Sequence, residues 1–141
     1  MSTTVSYADC NCFALRQAAR YVTQLYDRHL SEAGVTPAQF TILAHIARHP
    51  HTTMVELTEA MVMERTSLLR ALKPLQRDGL VDTETSVHDA RTYVFSLTKA
   101  GVKTLERARQ AWLAAQAEFE SRFGSARAKA LRAELFDMTA A

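Results

Sequence analysis

Between Tyr7 and about Leu30 the chain alternates with the period of an α-helix. Leu15, Ala18, Val22, Leu25 and His29 fall on one side, and Gln17, Gln24 and Arg28 fall opposite, which predicts a long amphipathic first helix. A second helix follows in "TPAQFTILAHIARHP": Thr36 suits the N-cap, Pro37 the first helical position and Gln39 the return leg of a capping box, with Pro50 as the stop. Thr53 and Glu56 make another capping box, opening a short helix through about Met61 that offers Val55, Leu57 and Ala60 to the interior.

The stretch "ERTSLLRALKPLQRDGL" has two faces. At about 100° per residue, Leu68, Leu72 and Leu75 share one side, while Thr66, Arg70, Lys73 and Arg77 lie nearly opposite. Gly79 stands where helices commonly end, and Pro74 falls late enough in the helix to be tolerated, with a bend or a loosened turn expected near it. "LVDTE" and "RTYVFSL", rich in β-branched and aromatic residues, flank "TSVHDA" as a hairpin. From Thr98 a long helix carries Val102, Leu105, Trp112, Ala115, Phe119 and Phe123 at helical spacing, with Trp112 most simply in the core, and Gly124 ends it. A last helix from Ser125 places Ala128, Leu131, Leu135 and Met138 on one stripe. The predicted fold is mostly α: a short helix, a tight turn, a basic-faced helix and a hairpin, in the order of a winged helix-turn-helix.

Composition narrows the reading. A chain of 141 residues with 48 % hydrophobic content suits one interlocked domain, and 4 Gly with 3 Pro leave room for long helices. No apolar run approaches the roughly 18 residues a membrane span requires, and "MSTTVSYADCN" lacks the basic and apolar regions of a leader, so a cytoplasmic protein without a membrane partner is expected. Cys10 and Cys12, two residues apart, are expected as free thiols. The formal charge of +2 does not by itself announce nucleic acid. Between residues 53 and 98, Arg65, Arg70, Lys73, Arg77 and Arg91 are outnumbered by Glu56, Glu59, Glu64, Asp78, Asp82, Glu84 and Asp89, so any DNA argument rests on positive charge gathered on one helical face.

With these elements in place, "LTEAMVMERTSLLRALKPLQRDGLV" followed by "HDARTYVFSLTKAG" resembles the MarR family of winged-helix transcriptional regulators. The more specific parts are "RTSLLRALKPL" and Asp89-x-Arg91 followed by Leu97-Thr98 and Gly101, and the resemblance covers nearly the whole chain. It implies a homodimer held by long N- and C-terminal helices, with residues 1–33 and 99–141 as dimerisation regions around a DNA-binding region, 34–98. It implies a recognition helix in the major groove of double-stranded DNA, with Arg65, Thr66, Ser67, Arg70 and Lys73 facing that groove, and Arg91 in the minor groove with Asp89 holding the wing. The operator would be a pseudo-palindrome. Ala90, Leu69 and Glu64 depart from residues common at those places in the family; Leu69 suits either a thymine methyl or the neighbouring helix.

The expected function is therefore a transcriptional repressor released by a small-molecule effector, with no catalytic role and neither cofactor nor metal. Cys12, Arg16, Ala19, Thr23, Tyr26 and Leu30 form a semi-polar stripe suited to a pocket wall. An aromatic carboxylate is a common effector of the family, and Arg16 could grip its carboxylate in a fork or stay solvated at a dimer edge. "CFALRQAARYVTQLYD" also resembles the peroxide-sensing branch, whose reactive cysteine matches Cys12 and one of whose tyrosines matches Tyr26; the second tyrosine position is Pro37, which favours a buried, inert Cys12. His45, His49 and His51 lie near one another without a fourth ligand for zinc. Two other classes stand against the leading one: a helical protein-interaction module that leaves DNA alone, and a thiol enzyme, for which no base or phosphate loop is present.

Overall fold

The computed structural model describes residues 4–140, so the outermost positions of both expected dimerisation regions, 1–3 and 141, lie outside the described residues. A 3₁₀ turn at Tyr7–Asp9 leads into α1 (Asn11–Leu30), and a second 3₁₀ turn, Ser31–Ala33, joins it to α2 (Pro37–Arg48). Then come β1 (Thr52–Thr53), α3 (Met54–Met61), α4 (Arg65–Arg77), β2 (Val81–Thr85), β3 (Tyr93–Leu97), α5 (Lys99–Phe123) and α6 (Ser125–Thr139). The sheet is antiparallel in the order β1-β3-β2, with Thr83 opposite Phe95 in the hairpin and Thr52 opposite Phe95 on the other side.

The caps form as the sequence implies. Thr36 Oγ1 accepts the Gln39 N–H at 3.1 Å and Gln39 Oε1 accepts the Thr36 N–H at 3.0 Å; Thr53 and Glu56 exchange the same pair at 3.2 Å each. Thr98 caps α5 through the Gly101 N–H. The first α-helix begins later than Tyr7, because Tyr7–Asp9 turns as 3₁₀ and Cys10, in extended backbone, becomes the N-cap with its Sγ accepting the Phe13 N–H. β1 is too short to leave a periodic signal; its ladder to β3 and not its residues makes it a strand.

Leu30, Ile42, Leu43, Ile46, Leu57, Leu68, Leu72, Leu75 and Phe95 are buried together, with Trp112 of α5 half-buried and stacked on Phe40 of α2. Burying each such aliphatic side chain contributes about 1.5–3 kcal/mol. The leucine face of α4 therefore fixes which side of that helix remains outside. Inside α3 only Leu57 is fully buried; Val55 and Ala60 face outward, because Met54 and Met61, at the two ends of the helix, flank Leu57 on the core side. Helix α4 runs through Pro74 to Arg77, and the Pro74 carbonyl accepts the Asp78 N–H at 2.9 Å. Gly79 turns the chain with φ 73°, and Gly101 lets α5 lie on the Leu80 carbonyl, where a Cβ would collide with backbone.

The apolar stripes at the ends of the chain behave differently. Leu15 and Ala18 of α1, Val102 of α5, and Leu131 and Met138 of α6 are exposed, and only Ala128 of the α6 stripe is buried. Phe136, outside that stripe, is 68 % exposed. Together with Val22, Phe119 and Leu135, several of these residues line an open apolar cavity of about 520 Å³ between α1, α5 and α6.

Candidate nucleic-acid interface

Helix α4 presents the basic face the sequence implies. Arg65, Thr66, Ser67, Arg70, Lys73 and Arg77 are exposed, and of these Thr66, Arg70, Lys73 and Arg77 lie opposite Leu68, Leu72 and Leu75, which are at no more than 2 % exposure. Thr66, Leu69, Arg70, Lys73, Pro74 and Arg77 line one shallow groove, so the half-buried Leu69 contributes to its floor as well as to packing. Arg77 pairs with Asp78 at 3.3 Å, whereas no hydrogen bond or ion pair engages the side chains of Arg70 and Lys73 among the described residues. Their donors are available to an outside partner. Glu64, at the N-cap of α4, makes no side-chain cap.

The wing is held by Asp89. Its Oδ1 accepts the Arg91 backbone N–H at 3.0 Å and Arg91 Nε at 3.2 Å; Oδ2 accepts the Thr92 hydroxyl at 3.4 Å and Arg91 Nη2 at 3.5 Å. The Ser86 N–H closes the loop onto the Thr92 carbonyl at 2.7 Å. These bonds, the Arg91 backbone donor first and its side chain second, hold the Asp89 carboxyl below its ordinary range. The Arg91 side chain stays 92 % exposed, fixed in direction and open to solvent. A helix with a solvent-facing cationic side beside a hairpin that displays an arginine is the arrangement of a winged helix-turn-helix.

Comparison with known proteins agrees with this class. Residues 33–92 match the MarR family pattern. The crystal structure of the Mycobacterium tuberculosis transcriptional regulator MosR in complex with DNA is 36 % identical, with a TM-score of 0.81 over 93 % of this chain and 94 % of that one. A putative transcriptional regulatory protein for the hcr operon of Thauera aromatica is 33 % identical over 80 % of this chain and 64 % of its own length. The organic hydroperoxide resistance transcriptional regulator of Bacillus subtilis is 28 % identical over 69 % of this chain and 66 % of its own. The chain thus spans about two thirds of the length of the latter two regulators. It belongs to the MarR family, whose members are DNA-binding transcriptional regulators and not enzymes.

The expected effector stripe is divided within one chain: Arg16, Ala19 and Thr23 line one shallow groove, Ala19 and Tyr26 line the apolar cavity, and Cys12 lines neither. Cys12 and Tyr26 sit fourteen positions apart on α1, about 21 Å along its axis, so they cannot meet within one chain. Cys12 is exposed and not buried: the preceding 3₁₀ turn sets Tyr7 against Phe13, at 5.2 Å between rings, and leaves Cys12 uncovered. Arg16 lies in a shallow surface groove with Arg20 and Thr23, on a different side from Tyr26. Tyr26 reaches the polar end of the apolar cavity and donates to Gln116 Oε1, beside Glu120 and Arg132; burial, then the Glu120 charge, raises its phenol while Arg132 acts the other way. The His45 and His49 rings lie 4.6 Å apart, tilted by 34°, and no three His, Cys, Asp or Glu side chains converge on a metal position among the described residues.

Sequence reasoning missed a polar network between α1 and α5. Glu118 accepts from His29 at 3.0 Å, lies 3.3 Å from Arg28 and 3.4 Å from Arg122, and Arg122 donates to the Tyr21 hydroxyl at 2.8 Å. The contacts with α1 join residues about ninety or more positions apart, which no local pattern announces. No helix among the described residues is long and apolar enough to cross a membrane.

Proposed function

We propose that this protein is a homodimeric, sequence-specific DNA-binding regulator that represses transcription in the cytoplasm until a small molecule releases it. The observation that carries the reading is the pairing of an unengaged cationic face on α4, centred on Arg70, with a wing arginine aimed outward by Asp89. In this reading Arg65, Thr66, Ser67, Arg70 and Lys73 enter the major groove and Arg91 the minor groove. Residues 34–98 form the reading head and the terminal helices form the dimer. The apolar cavity between α1, α5 and α6, with Leu131 and Phe136 exposed beside it, suits coverage by a second copy. Two symmetry-related heads would then read half-sites about 34–36 Å apart.

Arg16, exposed on α1, is the residue best suited to grip an aromatic carboxylate effector. One observation favours a second trigger. Both thiols are exposed, Cys10 at the very start of α1, and the Bacillus subtilis relative is a regulator of organic hydroperoxide resistance. Peroxide sensing through Cys12 would need Tyr26 from a partner copy, given the 21 Å estimated above, and Pro37 supplies no hydroxyl. The test is to select duplexes from a randomised pool with the full chain and footprint the winner. Protection of two half-sites one helical turn apart, by a species of dimer mass in light scattering, is expected. A stable monomer at micromolar concentration, or protection of one half-site only, refutes the dimeric reading. Release of the duplex by aromatic carboxylates, lost in Arg16→Ala, or by organic hydroperoxide, lost in Cys12→Ser, separates the two triggers.

A further inference from the structure

Two parts of this molecule are expected to touch DNA, α4 and the wing, and their separation decides which bases each can reach. At the foot of the hairpin they are tied through the backbone: the Leu80 N–H bonds the Leu75 carbonyl at 2.9 Å, and the Thr98 N–H bonds the Leu80 carbonyl at 3.1 Å. The Thr98 hydroxyl adds a bond to the Gly79 carbonyl at 2.6 Å. All three lie at residues 75–80 and 98; β1 holds β3 from its far side at Val94 and Phe95, so what can lean is the outer strand β2 with the wing beyond it.

One side-chain hydrogen bond spans from the helix to the body of the hairpin among the described residues. Gln76 Nε2, on the last turn of α4, donates to Thr83 Oγ1 in the middle of β2 at 2.7 Å. Across the ladder Thr83 pairs with Phe95, buried at 2 %, so the point held by Gln76 is itself anchored to the core. Gln76 lies on the flank of α4, about 60° or more from Lys73, Arg70 and Arg77, and so is not part of the face offered to the major groove. We propose that Gln76 is a positioning residue: through Thr83 it sets the spacing between the recognition helix and the wing, and thereby which operators, by the distance between core and flank, the protein prefers.

The lever arm makes a small lean consequential. Five residues of β2 extend about 17 Å, so a lean of roughly 10° at the foot moves the far end by about 3 Å. That is close to the 3.4 Å or so between successive base pairs along the duplex. A brace at mid-strand therefore works at the scale on which Arg91 would move from one base pair to its neighbour.

The inference rests on the DNA-binding reading, and the experiment separates the two. The probe is the duplex selected from a randomised pool by the wild-type chain, with versions in which one base pair is inserted or deleted between the core half-site and its A·T-rich flank. Wild type should prefer the unaltered spacing by about tenfold. Gln76→Met and Thr83→Val, which remove the donor and the acceptor, should shrink that preference to about threefold or less, while affinity for the unaltered duplex falls only a few-fold. Thr83→Ser, which keeps the hydroxyl, should retain the wild-type preference, and adding Gln76→Met to Arg91→Ala should change nothing further in spacing preference. If Gln76→Met keeps the tenfold preference, or if Thr83→Ser loses it as Thr83→Val does, the brace is not the determinant and the inference is overturned. It is equally overturned if wild type binds the selected duplex without any spacing preference. Failure of wild type to bind any duplex refutes the DNA-binding reading and carries the inference down with it.

Discussion

Replacing Arg70 and Arg91 one at a time should separate two kinds of recognition. Arg70 stands at the centre of the exposed face of α4, and among the described residues no acidic side chain engages its guanidinium or competes for its five donors. A fork to a guanine edge is worth about 1–3 kcal/mol of discrimination, so Arg70→Ala should weaken binding by about fivefold to 150-fold and relax preference at one base pair of each half-site. Arg91 begins from a different state: Nε and Nη2 already face Asp89, so part of any new contact replaces an existing one. What it offers is a cation held in place for the enhanced negative potential of a narrow A·T-rich groove, where base identity is poorly distinguished. Arg91→Ala should therefore cost several-fold, mostly through the flanks, and leave core preferences intact. The assay is a competition binding series with core and flank varied independently, at one fixed salt concentration because phosphate contacts depend steeply on it. Equal losses for both variants on every duplex would reduce the arginines to phosphate contacts and refute the groove assignment. No loss for either would refute DNA binding by this face.

Other expectations follow from the same geometry. Leu131→Glu would place a charge beside the apolar cavity at an exposed position, so it should leave the monomer folded while shifting light-scattering mass from dimer to monomer; an unchanged dimer would remove α6 from the interface. Val62, at the end of α3, has φ 51° and is 70 % exposed, a conformation that costs a β-branched residue about 1–2 kcal/mol; Val62→Gly should therefore raise stability by about 1 kcal/mol in urea unfolding, and a loss would show that the side chain makes a contact worth keeping. Burial, then the neighbouring His49, depresses the His45 pKa against the opposing pull of Glu56. Above about pH 6.5 both folded and unfolded His45 are neutral, and below it the unfolded chain takes up the proton first, so stability should fall on acidification from there. His45→Gln should flatten that slope in thermal melts between pH 7 and 5. The Glu118 pairings, in which the His29 hydrogen bond is the largest influence, hold that carboxyl below its ordinary range near 4.5, so the stability tied to its titration is present above that range and is lost only as the pH falls through it, below the window of the His45 test.

Much of this protein was legible along the chain because its local signals are redundant. Thr36–Pro37–Gln39 and Thr53–Glu56 mark helix starts by chemistry confined to four residues, and the capping bonds form as written. The two faces of α4 follow from the 100° step alone: once Leu68, Leu72 and Leu75 enter the core, Arg70 and Lys73 must face out. Asp89 and Arg91 are two residues apart, close enough for the wing contact to be a local event.

What the chain could not announce depends on which surfaces meet. Helical periodicity identifies an apolar stripe but not what covers it: the same spacing describes Leu72, sealed in the core, and Leu131, exposed beside the cavity between α1, α5 and α6. Spacing likewise offered Cys12, Arg16, Ala19, Thr23, Tyr26 and Leu30 as one pocket wall; the fold places Arg16, Ala19 and Thr23 on one groove and Tyr26 in the apolar cavity, because a straight helix spreads its ends by 1.5 Å per residue and the neighbouring helices cover only part of its length. Thr52 and Thr53 become a strand only because β3 offers them a ladder. Glu118 finds Arg28 and His29, and Gln76 finds Thr83, through contacts set by the packing of whole elements. Propensity and capping act within a turn or two and are written in consecutive residues; burial and long-range hydrogen bonds are properties of pairs of elements, so only the tertiary structure decides them.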